Sequence, residues 1–149
     1  MGRNGRRRIE TQHFVIRDDK CAMKVGTDAL LLGAWTNAAG VQSVVDIGSG
    51  SAIVLLMVAQ RSASGCELTG IELDPRADAQ GHANADGSPF APQVVPAAAM
   101  VWLRSGLARK GELFLLKPPF FRENPLRPTP HRNLERDHVS MSIHSTFNH

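Results

Sequence analysis

The sequence predicts an α/β protein with a doubly wound, mainly parallel sheet of about four strands. Three observations carry that prediction. Apolar strand-like segments alternate with helical ones along most of the chain; the first of them, VQSVVDI, runs straight into the glycine turn GSG; and the next, ELTGIE, closes on an acidic residue 24 positions after the first of those glycines. With 149 residues and 42% apolar side chains, the chain fits one domain with a real core.

Taken in order, the start MGRNGRRRIE carries Arg3, Arg6, Arg7 and Arg8 with no apolar stretch behind them, so this stretch is not expected to act as a secretory signal. Arg6 also stands where a myristoylation site needs Ser or Thr. Residues 1–12 read as a basic, solvated arm. In KVGTDALLLGAW, Gly26 permits a turn, Thr27 is available as a cap, and Asp28 suits a helix N-terminus, so a short helix is expected from Asp28 to Trp35. Val41, Val44, Val45 and Ile47 then make a buried parallel strand, and AIVLLMVAQR a helix apolar on nearly every side, as for one pressed on a sheet. CELTGIELD is the second strand of the sheet. PRADAQGHANAD is a polar helix started by Pro75 and weakened at Gly81, which costs about 1 kcal/mol relative to alanine. PQVV gives a short third strand, AAAMVWLRSGLA a helical crossover and ELFLLK a fourth strand. From residue 122 to 149 the composition turns polar and proline-rich, and a flexible tail is expected. The folded domain is thus 13–121.

Composition narrows the function. The net charge is +3, but thirteen of the seventeen cations are arginine, whose planar fork grips two phosphate oxygens at once. A nucleic-acid partner is allowed on that ground. Cys21 and Cys66 form no Cys-x-x-Cys pair, which argues against a zinc ribbon and a disulfide framework and for the reduced thiols of a cytosolic protein. The six histidines show no ligand spacing, so no metal is expected. The longest strictly apolar run, Ala52 to Ala59, is far short of the roughly 20 residues a membrane helix needs.

The chemistry concentrates at two places. In DIGSGSA, Gly48 and Gly50 let the chain bend sharply and leave room for a ligand, Asp46 ends the strand as an acceptor for a cationic ligand, and Glu72 can take the hydroxyls of a ribose. The dinucleotide fingerprint would need glycine where Ile53 stands; the D-x-G-x-G-x-G pattern fits through Gly50 and then meets Ala52. A nucleoside-type cofactor site and a purely structural corner both remain open on these residues. The second place is Lys117-Pro118-Pro119-Phe120, at the end of the fourth strand. Prolines present carbonyls without competing N–H groups, and an aromatic face holds a flat base that has left its stack.

MKVGTDALLLGAW, VVDIGSGSA, GIELDP and KPPFF, in this order and spacing, resemble the bacterial methyltransferases that modify N6 of the adenine 3′ to the anticodon in a valine tRNA. The resemblance runs from about Phe14 to Phe121 and implies a Rossmann-like fold, S-adenosyl-L-methionine as cofactor and tRNA as partner. It implies that Asp46, Gly48, Gly50 and Glu72 bind the cofactor, that Lys24, Gly26, Thr27 and Asp28 form part of the loop over it, and that Pro118, Pro119 and Phe120 hold the target base. Three residues depart from the family pattern: Ala52 replaces a third glycine, Ala98 an aspartate contacting the adenine of the cofactor, and Lys117 an asparagine that accepts from the substrate amine. The family also continues through three more strands, so the sheet is expected to stop early, leaving Phe114, Leu115 and Leu116 on an incompletely covered edge. Lys117 has three donors and no acceptor, so impaired methyl transfer is expected. Methylation of another planar amine in DNA, rRNA or protein, and an inactive cofactor- or RNA-binding remnant, are the alternative readings.

Overall fold

The computed structural model of the chain describes residues 7–91, 94–98, 104 and 113–118. Two compact units are distinguished, Met1–Lys117 and Pro118–His149, and of the second only Pro118 is among the described residues. The expected tail at 122–149, with Arg122, Arg127, Arg132 and Arg136, lies outside them, as do Pro119, Phe120 and most of the expected crossover helix.

The first unit is the expected Rossmann-like α/β fold. Its elements run β1 (Arg8–Glu10), β2 (Val15–Arg17), α1 (Thr27–Trp35), β3 (Ser43–Ile47), α2 (Ile53–Ala59), β4 (Glu67–Glu72), α3 (Pro75–Asp86), β5 (Val94–Ala98) and β6 (Leu113–Leu116). β5, β4, β3 and β6 form one sheet in that order, every pairing parallel. The order reverses between β3 and β6, and the crevice at such a reversal, beyond the carboxyl ends of the strands, is where open α/β sheets bind ligands. Pro96 pairs opposite Gly70 on β5, an edge of the described sheet, where a missing N–H is tolerated.

Burial follows the sequence pattern. Val44 and Val45 of β3, Leu68 and Ile71 of β4, and six of the seven residues of α2 are buried, which explains why α2 is apolar on all sides. On β6 only Leu115 is buried; Phe114 and Leu116 remain 48% and 43% exposed, as expected of an edge. The α1 boundary moves by one residue: Gly26 is the N-cap, Thr27 is already helical and no side chain caps the helix, because the extended backbone at Gly26 makes the turn. At its other end, the Arg61 guanidinium donates to the carbonyls of Gly33 and Ala34, satisfying acceptors left free by the last turn of α1.

Gly81, a weakness by helix propensity, has a packing reason. A Cβ there would come within 2.9 Å of the Gly50 carbonyl oxygen, so α3 lies against the glycine turn as closely as a bare backbone allows. The polarity of α3 has a reason too. Gln80 and Asn84, one turn apart, are buried and face β2 and the loop after it. Asn84 Oδ1 accepts from Arg17 N at 3.0 Å, and its Nδ2 donates to Arg17 O at 2.8 Å and to Ser51 O at 2.9 Å. Gln80 Oε1 accepts from Lys20 N at 2.8 Å while its Nε2 donates to Asp19 Oδ1 at 2.8 Å. Asp74 caps α3 by accepting from Arg76 N, with Pro75 in the first turn as expected.

From Arg8 the expected basic arm is instead a strand, paired antiparallel with β2 so that Ile9 faces Ile16. Thr11 closes the turn by accepting from Phe14 N and donating to Phe14 O. Ile16 is fully buried, and Phe14 meets Phe90 edge to face with ring centres 6.3 Å apart. Burial of those two side chains fixes the hairpin; three-residue strands carry too little alternation to be read beforehand.

Candidate cofactor-binding site

The β3–α2 turn is built on left-handed backbone. Gly48, Gly50 and Ala52 have φ of 78°, 52° and 64°. A Cβ placed on Gly48 or Gly50 would touch nothing within 4 Å, so both glycines face open space. The turn is anchored from beneath by Gly48 N and Ser49 N donating to Ile71 O at 2.8 and 3.1 Å. Ala52 adopts the conformation that favours glycine, and it is fully buried; the departure from the three-glycine pattern is accommodated at a strain of about 1–2 kcal/mol.

Glu72, at the end of β4, holds the turn from the side. Its Oε2 accepts from Gly50 N at 2.8 Å, and its Oε1 from Leu73 N and Asp74 N at 2.8 and 2.9 Å. A carboxylate has about four lone-pair sites. Three are used here, which leaves Glu72 one further donor to accept before a backbone N–H must be released.

Asp46, on β3 between Gly70 and Leu115, is 3% exposed. Burial pushes its pKa up to about 7, the Glu72 carboxylate adds to the rise, and the Lys117 ammonium opposes it. A buried carboxylate beside open glycines suits a ligand that brings hydrogen-bond donors or positive charge.

Lys117 lies one step beyond the Ile47–Leu116 pair, on the far side of the sheet reversal from Glu72. Its Nζ is 3.0 Å from Asp28 Oδ2, so the ammonium is drawn to the start of α1. The hydrogen bond from Lys117 holds the Asp28 carboxyl below its usual range. An ammonium committed in this way has donors only and cannot accept from an amine.

The structure therefore gathers Asp28, Asp46, Gly48, Gly50, Glu72 and Lys117 at the carboxyl end of the sheet. Gly26 and Thr27 belong to the same helix start, and a Cβ on Gly26 would come within 2.5 Å of Asp28 Oδ1. Lys24 stands apart in its bonding: Nζ donates to the carbonyls of Asp18, Cys21 and Asp19 at 2.8, 2.7 and 3.2 Å and so holds its own loop in shape. Asp18 Oδ2 accepts from Val25 N at 2.8 Å and meets Arg7 Nε at 3.5 Å, closing the same loop from inside. Asp18, Gln80 and Asn84 position the site without having been singled out; Gln80 and Asn84 had a signal in their one-turn spacing on a face shared with Gly81 and Ala77. Cys21 is buried in this loop, and burial, with Glu72 and Asp18 nearby, pushes its thiol up to about 12, so it is no nucleophile. Among the described residues, no group of three His, Cys, Asp or Glu side chains could hold a metal, and no helix is long and apolar enough to cross a membrane. Pro118 is exposed.

No protein-family model matches the chain. Similarity to individual proteins is extensive. The chain is 41% identical over 147 residues to the tRNA1(Val) (adenine(37)-N6)-methyltransferase of Klebsiella pneumoniae subsp. pneumoniae, covering 95% of this chain and 59% of that protein. To the protein of the same name from Cronobacter sakazakii it is 41% identical over 138 residues, 91% of this chain and 55% of that one. Among solved structures, an O-methyltransferase from Bacillus cereus in complex with SAH superposes with a TM-score of 0.53 at 12% identity, over 66% of this chain and 48% of that one, a likeness of fold. By sequence the chain is similar to the bacterial tRNA1(Val) (adenine(37)-N6)-methyltransferases over nearly all of its own length and spans somewhat more than half of theirs.

Proposed function

We propose that this chain is an S-adenosyl-L-methionine-binding, methyltransferase-like domain that engages tRNA in the cytoplasm and whose methyl transfer to adenine N6 is strongly impaired. The observation that carries the cofactor reading is the group at the sheet reversal: the buried carboxylate of Asp46, the open faces of Gly48 and Gly50, and Glu72 with one acceptor site to spare. These residues fit a ligand with a ribose and an ammonium. Glu72 would take a ribose hydroxyl, the glycine turn would let the ligand approach the backbone, and Asp46 would face its cationic part. When bound, the cofactor supplies an electrophilic methyl group on a sulfonium.

Lys117 supports the impairment. The lone pair of adenine N6 is delocalised into the ring, and acceptors that hold its hydrogens make it available for attack. Asparagine at this position would supply one such acceptor; the Lys117 ammonium, paired with Asp28, supplies none and adds charge to the corner. Loss of one positioned group of this kind costs roughly 10²–10³ in rate. The tRNA partner rests on the names of the relatives and on the arginine-rich composition.

Titration calorimetry with S-adenosylmethionine, followed by transfer of a tritiated methyl group to tRNA, tests the reading. Expected are cofactor binding, transfer at the limit of detection, and a gain in transfer for Lys117→Asn. Absence of binding sinks the cofactor reading, and rapid transfer by the unaltered chain sinks the impairment.

A further inference from the structure

The charge at the β6 corner points to what the site selects, on the footing of the cofactor reading above. S-adenosylmethionine and its product S-adenosylhomocysteine share the nucleoside and the amino-acid end; they differ by one methyl group and one positive charge on sulfur. We infer that Lys117 is a specificity-determining residue that biases this site toward the neutral thioether and against the sulfonium.

Four charged groups from four segments face this corner: Asp28 on α1, Asp46 on β3, Glu72 on β4 and Lys117 after β6. Glu72 is committed to three backbone N–H groups and Asp28 to the lysine. Asp46 is the acid left to attract a cation, and Lys117 is the cation already acting on it. With the ribose at Glu72 and the ammonium end at Asp46, a ligand would lie across the ends of β4 and β3, and Lys117, one step beyond the Ile47–Leu116 pair, follows the strand on the other side of β3. A sulfonium there meets a fixed positive charge, and a thioether does not. The lysine side chain is only 21% exposed, so solvent screens it incompletely. At an effective dielectric of about 20, one unit charge at a separation of about 10 Å changes the affinity for a cation roughly tenfold, an effect that Asp28 partly offsets while the lysine is paired with it.

The test is calorimetry at pH 8 with S-adenosylhomocysteine and S-adenosylmethionine, on the full chain and on Lys117→Met and Lys117→Arg. The ratio of thioether to sulfonium affinity should be the same in the unaltered chain and in Lys117→Arg, and should fall about tenfold in Lys117→Met. A ratio unchanged in Lys117→Met overturns the inference and leaves the cofactor reading standing. If neither ligand binds any of the proteins, the cofactor reading falls and takes the inference with it. Should Lys117→Met fail to fold by circular dichroism, raising the salt concentration on the unaltered chain decides: the ratio must shrink as the lysine is screened, and a salt-independent ratio overturns the inference.

Discussion

Two corners at the same end of one sheet use charge in opposite ways. At the β3–β4 corner, charge is spent on holding backbone: Glu72 accepts from Gly50, Leu73 and Asp74 and fixes the turn with its glycine faces open. At the neighbouring β6 corner, charge meets charge, with Lys117 donating to Asp28 at 3.0 Å. Asp46 lies between the two, destabilised by one carboxylate and relieved by one ammonium. The first corner is a shape that survives sequence change because backbone makes it; the second depends on which single side chain follows β6.

The largest expected effect is on Asp46, where the corners meet. Its folded pKa of about 7 lies above the roughly 3.9 of an unfolded aspartate. The folded state therefore keeps a proton that the unfolded state releases, so the contribution of Asp46 to stability is full below about pH 4, falls by about 1.4 kcal/mol per pH unit between about 4 and 7, and is flat above. Asp46→Asn should lack this slope and be more stable than the unaltered chain at pH 8, by at most about 4 kcal/mol, while binding S-adenosylmethionine more weakly. Denaturation of both proteins across pH 4–8 reads it; parallel curves would remove Asp46 from the account of the site.

Next in size is Glu72→Ala, which strands three backbone donors at the β3–β4 corner. Since Leu73 and Asp74 can turn their N–H groups to water, a loss of about 3 kcal/mol is expected, measured by urea unfolding. Glu72→Gln keeps one accepting oxygen and should lose about half as much. Equal losses would mean that carboxylate charge, not the count of acceptors, holds the turn.

The corners also differ in how well they could be read. The β3–β4 corner was legible because its determinants are local: Val44 and Val45 before a glycine pair, an acid at the end of the next strand, and Pro75 opening the following helix. What escaped was contact at long separation. The fit of Gly81 against Gly50, and the clamps from Gln80 and Asn84 to residues 60 or more positions earlier, are invisible to periodicity, which read Gly81 as a weak point and the helix only as polar. At the β6 corner the sequence identified Lys117 as a residue without an acceptor, but not that it would find Asp28, 89 positions before it, because nothing local links a strand end to the start of α1.

A smaller effect isolates the strain in the turn. Ala52→Gly relieves left-handed backbone worth about 1–2 kcal/mol and adds roughly 0.5–1 kcal/mol of unfolded-chain entropy, for a net gain of about 0.5–1 kcal/mol in thermal or urea unfolding. A loss instead would show that the buried Ala52 methyl, packed beside α3, contributes more than its backbone costs.

The smallest effect tests whether the β6 corner is structural at all. Asp28 is 48% exposed, and ion pairs with such access to water contribute less than about 1 kcal/mol, so Asp28→Asn should shift unfolding by no more than that, and by less at high salt. Its effect on ligands should be the larger one. Without Asp28, Lys117 loses its listener on α1 and its charge acts undivided on Asp46 and on whatever binds there. Sulfonium binding should therefore weaken in Asp28→Asn while thioether binding barely moves, the reverse of Lys117→Met. A small change in stability with a clear change in selectivity marks the pair as a determinant of what the site accepts; a large stability loss with unaltered selectivity would make it a brace between α1 and the sheet.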